Sequence, residues 1–422
     1  MVSIALFEDG YWRNFLPITL TKPTFDVKVG AKSFYEEYGQ PPEYLLTREF
    51  LAATTLERHP LSKVNPSSFD EDTVFVNGLL HPGTVDLQWY STLSYTFTIT
   101  YGQRLLVAKL GRTGAEYLAR CAEAGKSISL KKLDAEKSIE IGHHDFKGVL
   151  YIPWDIINAL ENSLAMQVSS SGDATGILPH GVRIIGNGRV AVGEGAEVED
   201  GTVLDATKGG IFIGPRAHIG PSRIVGPTYL GGMTQLKQFT IVDTSYIGFN
   251  CRVSGEVEHS IISDYSNKAH SGFLGHSYVG EWVNLGAMTT TSDLKMTYGN
   301  IKMNAGYGRK VDTGSNKVGS FIGDMCKTSI GTLIYSGLRI GVSSHIHGLV
   351  AENVPSFTIY GSSIGSGVSE LELTSALETQ RRVMSRRGQD FSKPYEEMMR
   401  HVFTVTAEER KRNKVRKRKF AI

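Results

Sequence analysis

The sequence predicts an α/β domain over residues 1–167 joined to a left-handed parallel β-helix of hexapeptide repeats over residues 178–365. A helical cap and basic tail over residues 366–422 complete the chain. Three observations carry this. First, apolar residues recur every six positions: Val192, Val198 and Leu204; Ile213 and Ile219; Ile247 and Val253; Val279 and Leu285; then Ile322, Thr328, Ile334, Ile340 and Ile346. Neither a 3.6-residue nor a two-residue period produces that spacing, whereas one flat side of a triangular coil per repeat does. Second, glycine follows the apolar residue in Val192-Gly193, Ile213-Gly214, Ile219-Gly220, Ile247-Gly248, Val279-Gly280, Leu285-Gly286, Ile322-Gly323 and Ile340-Gly341. Third, short apolar runs alternate with helical spacings before residue 168, the mark of layered strands and helices.

In the first domain, residues 3–6 read as a buried strand that stops at Glu8-Asp9-Gly10. Val74-Phe75-Val76 before Asn77-Gly78 reads as a second strand. Residues 114–124 have helical spacing, as do residues 154–160, and residues 168–173 read as a linker. The 45 Lys+Arg nearly balance 43 Asp+Glu, so the chain as a whole is not an electrostatic nucleic-acid binder. Cys121, Cys251 and Cys326 show neither metal spacing nor a disulfide framework, which suits a reducing, cytoplasmic compartment. The opening meets Glu8 and Asp9 too early for a signal peptide, and no apolar run is long enough to span a membrane.

Leu16-Pro17-Ile18-Thr19, Lys22-Pro23 and Val76-Asn77-Gly78 resemble segments of the sugar-phosphate nucleotidyltransferases. That resemblance implies a nucleoside triphosphate and a sugar phosphate as substrates, with Mg²⁺ offsetting phosphoryl charge. The chain departs from the family pattern in three places. Phe7-Glu8-Asp9-Gly10-Tyr11-Trp12-Arg13 has a single glycine where a Gly-rich loop is expected, Thr24 stands where lysine follows proline, and Leu79 replaces the metal-binding Asp. The domain therefore reads as degenerate, with Arg13, Lys22 and Lys28 as the cations left to face a phosphate.

Residues 270–287 are similar to the acetyltransferase half of the bifunctional N-acetylglucosamine-1-phosphate uridyltransferase/glucosamine-1-phosphate acetyltransferases. The resemblance spans about residues 180–350 and implies a cytoplasmic homotrimer that uses acetyl-CoA. It places the general base on His270, a sugar contact on Asn284 and the acyl-group neighbour on Ala287. Phe273 replaces the family's Tyr, Asp293-Leu294 replaces Asn-Tyr, and Glu258 stands where a lysine meets the sugar phosphate. A carboxylate there would repel phosphate, so either the acceptor sugar differs or Lys268, Lys295 or Lys302 holds its phosphate instead. Residues 294–315 break the hexads with Lys295, Tyr298, Asn300, Lys302, Asn304, Tyr307, Arg309 and Lys310, which predicts a cationic excursion suited to phosphate or coenzyme A.

Two rival readings stand beside the acyltransferase. One is a non-catalytic, sugar-nucleotide-binding scaffold trimer, motivated by the missing glycines, Lys and Asp. The other is a zinc β-helix hydratase built from His270, His276, His345 and His347 across a subunit interface, set lower because the sequence around His270 matches the acetyltransferase segment better. His143-His144 carries no ligand spacing. Leu371, Leu373, Ala376, Leu377 and Val383 predict an amphipathic helix that caps the open coil. Residues 410–419 hold eight cations in ten positions and read as a solvated tail, with an anionic partner as the sharper alternative. No aromatic residue interrupts that run, so it offers no stacking platform for bases.

Overall fold

The computed structural model describes residues 3–81, 84, 86–142, 148–170, 176, 178–308 and 310–418. His143, His144, Arg309 and half of the expected linker, residues 171–173, lie outside them.

The first domain contains β1 (Ile4–Phe7), β2 (Tyr44–Leu46), β3 (Lys63–Val64), β4 (Val74–Asn77), β5 (Phe97–Tyr101), β6 (Arg104–Lys109) and β7 (Lys137–Glu140). They form one sheet in the order β3–β2–β1–β4–β6–β5–β7. β1 runs parallel to both β2 and β4, so strand order reverses at β1 and a crevice opens beyond the carboxyl ends of β1 and β4. Leu6, Val74 and Val76 are buried to 2% or less, as expected of strands covered on both faces. Helices α1 (Ala52–Arg58), α2 (Arg112–Glu123) and α3 (Pro153–Ser169) accompany the sheet. α3 runs past residue 167, where the domain was expected to end; Pro153 at its start already has the φ a helix needs.

The second domain is a three-sided parallel coil. Its first face stacks Arg183–Ile185, Val203–Asp205, Arg223–Val225, Ile241–Asp243, Glu256–Glu258 and Phe273–Gly275. The second face stacks eight strands from Val190–Val192 to Arg339–Ile340. The third runs from Glu197–Val198 to Asn267–Lys268 and resumes with Lys327–Thr328, His345–Ile346 and Thr358–Gly361. Every hexad residue read from the sequence is buried, and all but Thr328 belong to one apolar cluster. Each buried Val, Ile or Leu contributes about 1.5–3 kcal/mol. Glycine is required where coils touch: a Cβ on Gly214 would stand 2.5 Å from the Gly232 amide nitrogen.

The two domains share a core. Tyr246, Ile261, Tyr278 and Phe321 of the second face belong to the same buried cluster as Phe15, Ile18 and Phe25 of the first domain. The excursion adds to this cluster. It forms an antiparallel hairpin, Lys302–Asn304 against Lys310–Asp312, whose Ile301 and Met303 are buried there. The Gly306 amide donates to the Asn14 carbonyl at 3.2 Å. The excursion is thus a strap onto the first domain, because its apolar residues alternate with the cations that the sequence brings to notice.

Helices α4 (Leu373–Ser385), α5 (Lys393–Val405) and α6 (Ala407–Arg412) follow the coil. They do not cap its end. Ala376, Leu377, Met384, Met398 and Val402 pack along the edge between the second and third faces, on Trp282, Met325, Val342 and Phe357, and reach Leu20 and Leu51 of the first domain. The strand Gly367–Glu370 pairs antiparallel with Thr358–Gly361 beside the last coil. Nor is the basic run wholly solvated. Arg410 is buried, donating to Glu370 at 2.8 Å, to the Thr406 hydroxyl and to the Phe403 carbonyl, while Arg416 pairs its backbone with Glu370. No helix among the described residues is long and apolar enough to cross a membrane.

Candidate active site

With the second face covered by the first domain and one edge by helices, the corner between the third and first faces remains open. His270 stands there. The chain leaves the third face at Lys268, turns through Ala269-His270-Ser271-Gly272 and enters the first face at Phe273. His270 and Ser271 are exposed and line a cleft of about 660 Å³ with Lys237, His218, Ala287 and Met288.

Lys268 sets that corner. The register pairs it with Val253, so its side chain points into the coil. Its Nζ donates to the carbonyls of Ser254 at 2.7 Å, His270 at 3.3 Å and Gly272 at 2.5 Å. Burial pushes its pKa down to about 8, against the raising effect of Glu256. Lys268 is therefore a clamp on the His270 turn and has no donor left for a sugar phosphate. The spacing Ile262, Lys268, Leu274 puts it in the inward register, a signal present in the hexads themselves.

The other expected ligands are spread out. Ala287 lies in the cleft. Asn284 is exposed on the third face one coil on, and its Oδ1 accepts from Asn267 at 3.4 Å. Phe273 begins the first face, half-buried. Asp293 is turned away from His270: its Oδ2 pairs with Nδ1 of His276 at 2.7 Å. Burial raises the Asp293 carboxyl, but the His276 contact and Lys317 bring it below the usual carboxylate range. Lys295 donates to its own loop at the Asn300 carbonyl. Lys302 is exposed on the hairpin. Lys237, a cation beside His270, escaped sequence reasoning because it lies two coils earlier and only the stacking brings it near.

In the first domain the cations are mostly spent. Lys22 is buried and bonds Glu281 at 2.6 Å and Asp324 at 3.3 Å, both on the coil. Burial works against its charge, but the two carboxylates hold its pKa above the ordinary value. Arg58 shares Glu281 at 3.3 Å. Lys28 pairs with Glu36 at 2.6 Å and lies 5.7 Å from the Tyr246 ring. Arg13 alone of the three lines a cleft, of about 720 Å³, with Trp12, Arg48, Phe50, Tyr307 and His401. Burial, then the charge of Arg48, lowers its pKa.

Beside β1 a cleft of about 420 Å³ is lined by Asp9, Tyr11, Asn14 and Arg104, and its charged groups are paired with one another. Asp9 accepts from Asn77 at 2.7 Å, from the Tyr11 amide at 3.0 Å and from Arg104 at 2.7 Å. The Arg104 guanidinium lies within 5 Å of both the Tyr11 and Tyr151 rings. Mg²⁺ does not fit there: Leu79 offers no oxygen, and both Asp9 oxygens are taken by protein donors, one of them a guanidinium. Next door, Arg48 and Glu8 form a buried pair at 3.0 Å.

Among the described residues no group of possible metal ligands includes His270, although His218 lines the same cleft. His345 is half-buried beside Lys327, and loss of solvent, then the Lys327 charge, pushes it down to about 4. His276 meets His259 instead, their rings parallel within 3° at 4.9 Å.

Residues 4–170 match the family model described as sugar nucleotidyl transferase. A bifunctional sugar-1-phosphate nucleotidylyltransferase/acetyltransferase of Sulfurisphaera tokodaii is 31% identical over 199 residues, 46% of this chain and 43% of that protein. The matched stretch thus spans less than half of that relative's length. Among solved structures, the UDP-N-acetylglucosamine acyltransferase of Francisella novicida is 14% identical over 55% of this chain and 87% of its own, with a TM-score of 0.27. The Arabidopsis enzyme of that name is 12% identical over 57% and 92%, with a TM-score of 0.26. Those scores leave the description of the coil to its own strand register.

Proposed function

We propose that this protein is a cytoplasmic transferase of nucleotide-sugar biosynthesis that moves the acetyl group of acetyl-CoA to the amine of an amino-sugar phosphate. The observation that carries this reading is the exposed His270 imidazole in a cleft at the one open corner of the coil, on a turn clamped by Lys268. A sugar ammonium must lose a proton before it can attack a thioester. His270 takes that proton, the nitrogen adds to the carbonyl carbon, and the C–S bond breaks to release the thiol. Such a base supplies about 10²–10⁴-fold in rate. Lys237, rather than Lys268, faces phosphate in the cleft, while Asn284, Phe273 and Ala287 border the acceptor and Lys302 offers charge to coenzyme A.

A homotrimer fits the same corner. Phe239, Met288 and Ile330 are 85%, 59% and 79% exposed at turns leading onto the first face, an apolar column that a second copy would cover. Thiol release from acetyl-CoA with glucosamine 1-phosphate tests the chemistry. Equal rates for the wild type and His270→Ala would sink it.

Nucleotidyl transfer by the first domain is the second reading, favoured by the match over residues 4–170 and by Arg13 and Arg48 in one aromatic cleft. Pyrophosphate release from UTP or dTTP with a sugar 1-phosphate measures it, and Arg13→Ala should abolish that release. A first domain that only binds or scaffolds would release none with any nucleotide.

A further inference from the structure

A second cluster lies at a different corner, between the first and second faces. Successive coils place His259 and His276 at equivalent turns, with φ of 44° and 46°. The stacking holds their imidazoles parallel, 4.9 Å apart. Glu258 ends its strand beside them, with Oε1 3.9 Å from His259 Nδ1. One nitrogen or oxygen from each of Glu258, His259 and His276 lies within 4.8 Å of the others.

Three features set this apart from an ordinary surface pair. His259 Nδ1 is buried and has no hydrogen-bond partner, a costly state for a ring nitrogen. His276 Nδ1 is engaged by Asp293 at 2.7 Å, which fixes the ring and leaves Nε2 for another partner. A carboxylate behind a histidine is the usual support of a metal-ligating imidazole. On the far side of His259, Glu161 of α3 stands 3.8 Å from Nε2, so both rings have a carboxylate behind them.

We propose that Glu258, His259 and His276 form a binding site for a divalent first-row transition ion of the zinc class, with Asp293 as the supporting carboxylate. Two imidazoles and one carboxylate suit such an ion and leave a position for solvent or a ligand. Ligand atoms around tetrahedral zinc stand roughly 3.4 Å apart, so uptake draws the cluster together by about 1 Å and turns the His259 ring out of the parallel stack, because an imidazole nitrogen ligates in its ring plane. The Lys317 ammonium, 3.5 Å from Glu258 and half exposed, is displaced in the process. The site ties three parts of the chain together: the coil, the root of the excursion through Asp293 and Lys317, and α3 of the first domain.

The test uses the full chain, stripped of metal and dialysed against Zn²⁺ buffered by a chelator, with bound metal counted by mass spectrometry. Co²⁺ absorption gives an independent readout of nitrogen ligation. The variants are His259→Asn and His276→Asn, since asparagine tolerates the positive φ at both turns. The wild type should hold one equivalent per chain. Each variant should bind on the order of 100-fold more weakly, and Asp293→Asn about 10–100-fold more weakly. Melting without metal checks that the variants fold. Equal metal in the wild type and the His259→Asn/His276→Asn double variant, or none in either, would overturn the proposal. Neither result bears on His270, whose activity is read separately.

Discussion

The crevice of the first domain and the open corner of the coil carry the same kinds of residue and use them in opposite ways. In the crevice, Asp9, Arg104 and Asn77 are engaged by one another, and Lys22, at the contact with the coil, is engaged by Glu281 and Asp324. At the corner, the cation Lys268 is also consumed internally, but its consumption leaves His270 presented to solvent. Charge pairing in the first domain ties its polar groups to one another, whereas the Lys268 hydrogen bonds to three carbonyls shape a turn that stays exposed. A functional residue is thus recognised less by type than by whether its polar atoms already have partners.

The sharpest way to break this contrast is His270→Ala. Acyl transfer should fall by about 10²–10⁴-fold with the melting temperature unchanged, because an exposed turn residue supports no packing. Loss of fold together with activity would make His270 structural. Next, Lys22→Met should leave Asp324 buried without its cation and Glu281 with Arg58 alone. We expect a loss of about 3–5 kcal/mol in denaturant unfolding, with thiol release preserved in the folded fraction. A neutral result would mean that the crevice cations are spare.

Acid should separate the two regions further. His345 titrates near 4 when folded and near its ordinary 6.5 when unfolded, so the unfolded chain binds more protons between those values. Its contribution is intact above about 6.5 and is lost as pH falls towards 4, on the order of 2–3 kcal/mol. His345→Asn should flatten the pH dependence of the melting temperature in that window. The smallest effects concern two exposed lysines. Lys237→Ala, in the cleft, should raise KM for the acceptor about five- to tenfold and leave kcat alone, whereas Lys302→Ala, on the exposed hairpin, should change KM for acetyl-CoA by about twofold. The reverse order would move the phosphate onto the hairpin.

The coil was legible because its period is local: six residues place Ile322, Ile334, Ile340 and Ile346 inside, and they are inside. The alternation of strands and helices before residue 168 was legible for a similar reason. What the sequence hid were contacts between distant segments. Lys22 and Glu281 are 259 residues apart, and no local pattern links them. The excursion was read by its cations, while its role is set by Ile301 and Met303 between them. The helices after residue 370 were amphipathic as expected, but an apolar stripe does not say whether it will meet the end of a coil or its edge. His259 and His276 were missed as a pair because stacking brings equivalent corners together, and corners show no hydrophobic period.

The inward lysine has a consequence for how the solenoid comes apart. A stack of coils behaves as a one-dimensional array in which each rung is held by its neighbours. Between Val253 and Ile346 the inner column of the third face reads Val253, Lys268, Leu285, Thr328 and Ile346, so two of five rungs lack the aliphatic that zips the rest. The residues 294–315 leave the array between the same rungs. The turn bearing His270 thus lies where the aliphatic column of the third face is thinnest, and native-state hydrogen exchange should show that rung opening before its neighbours.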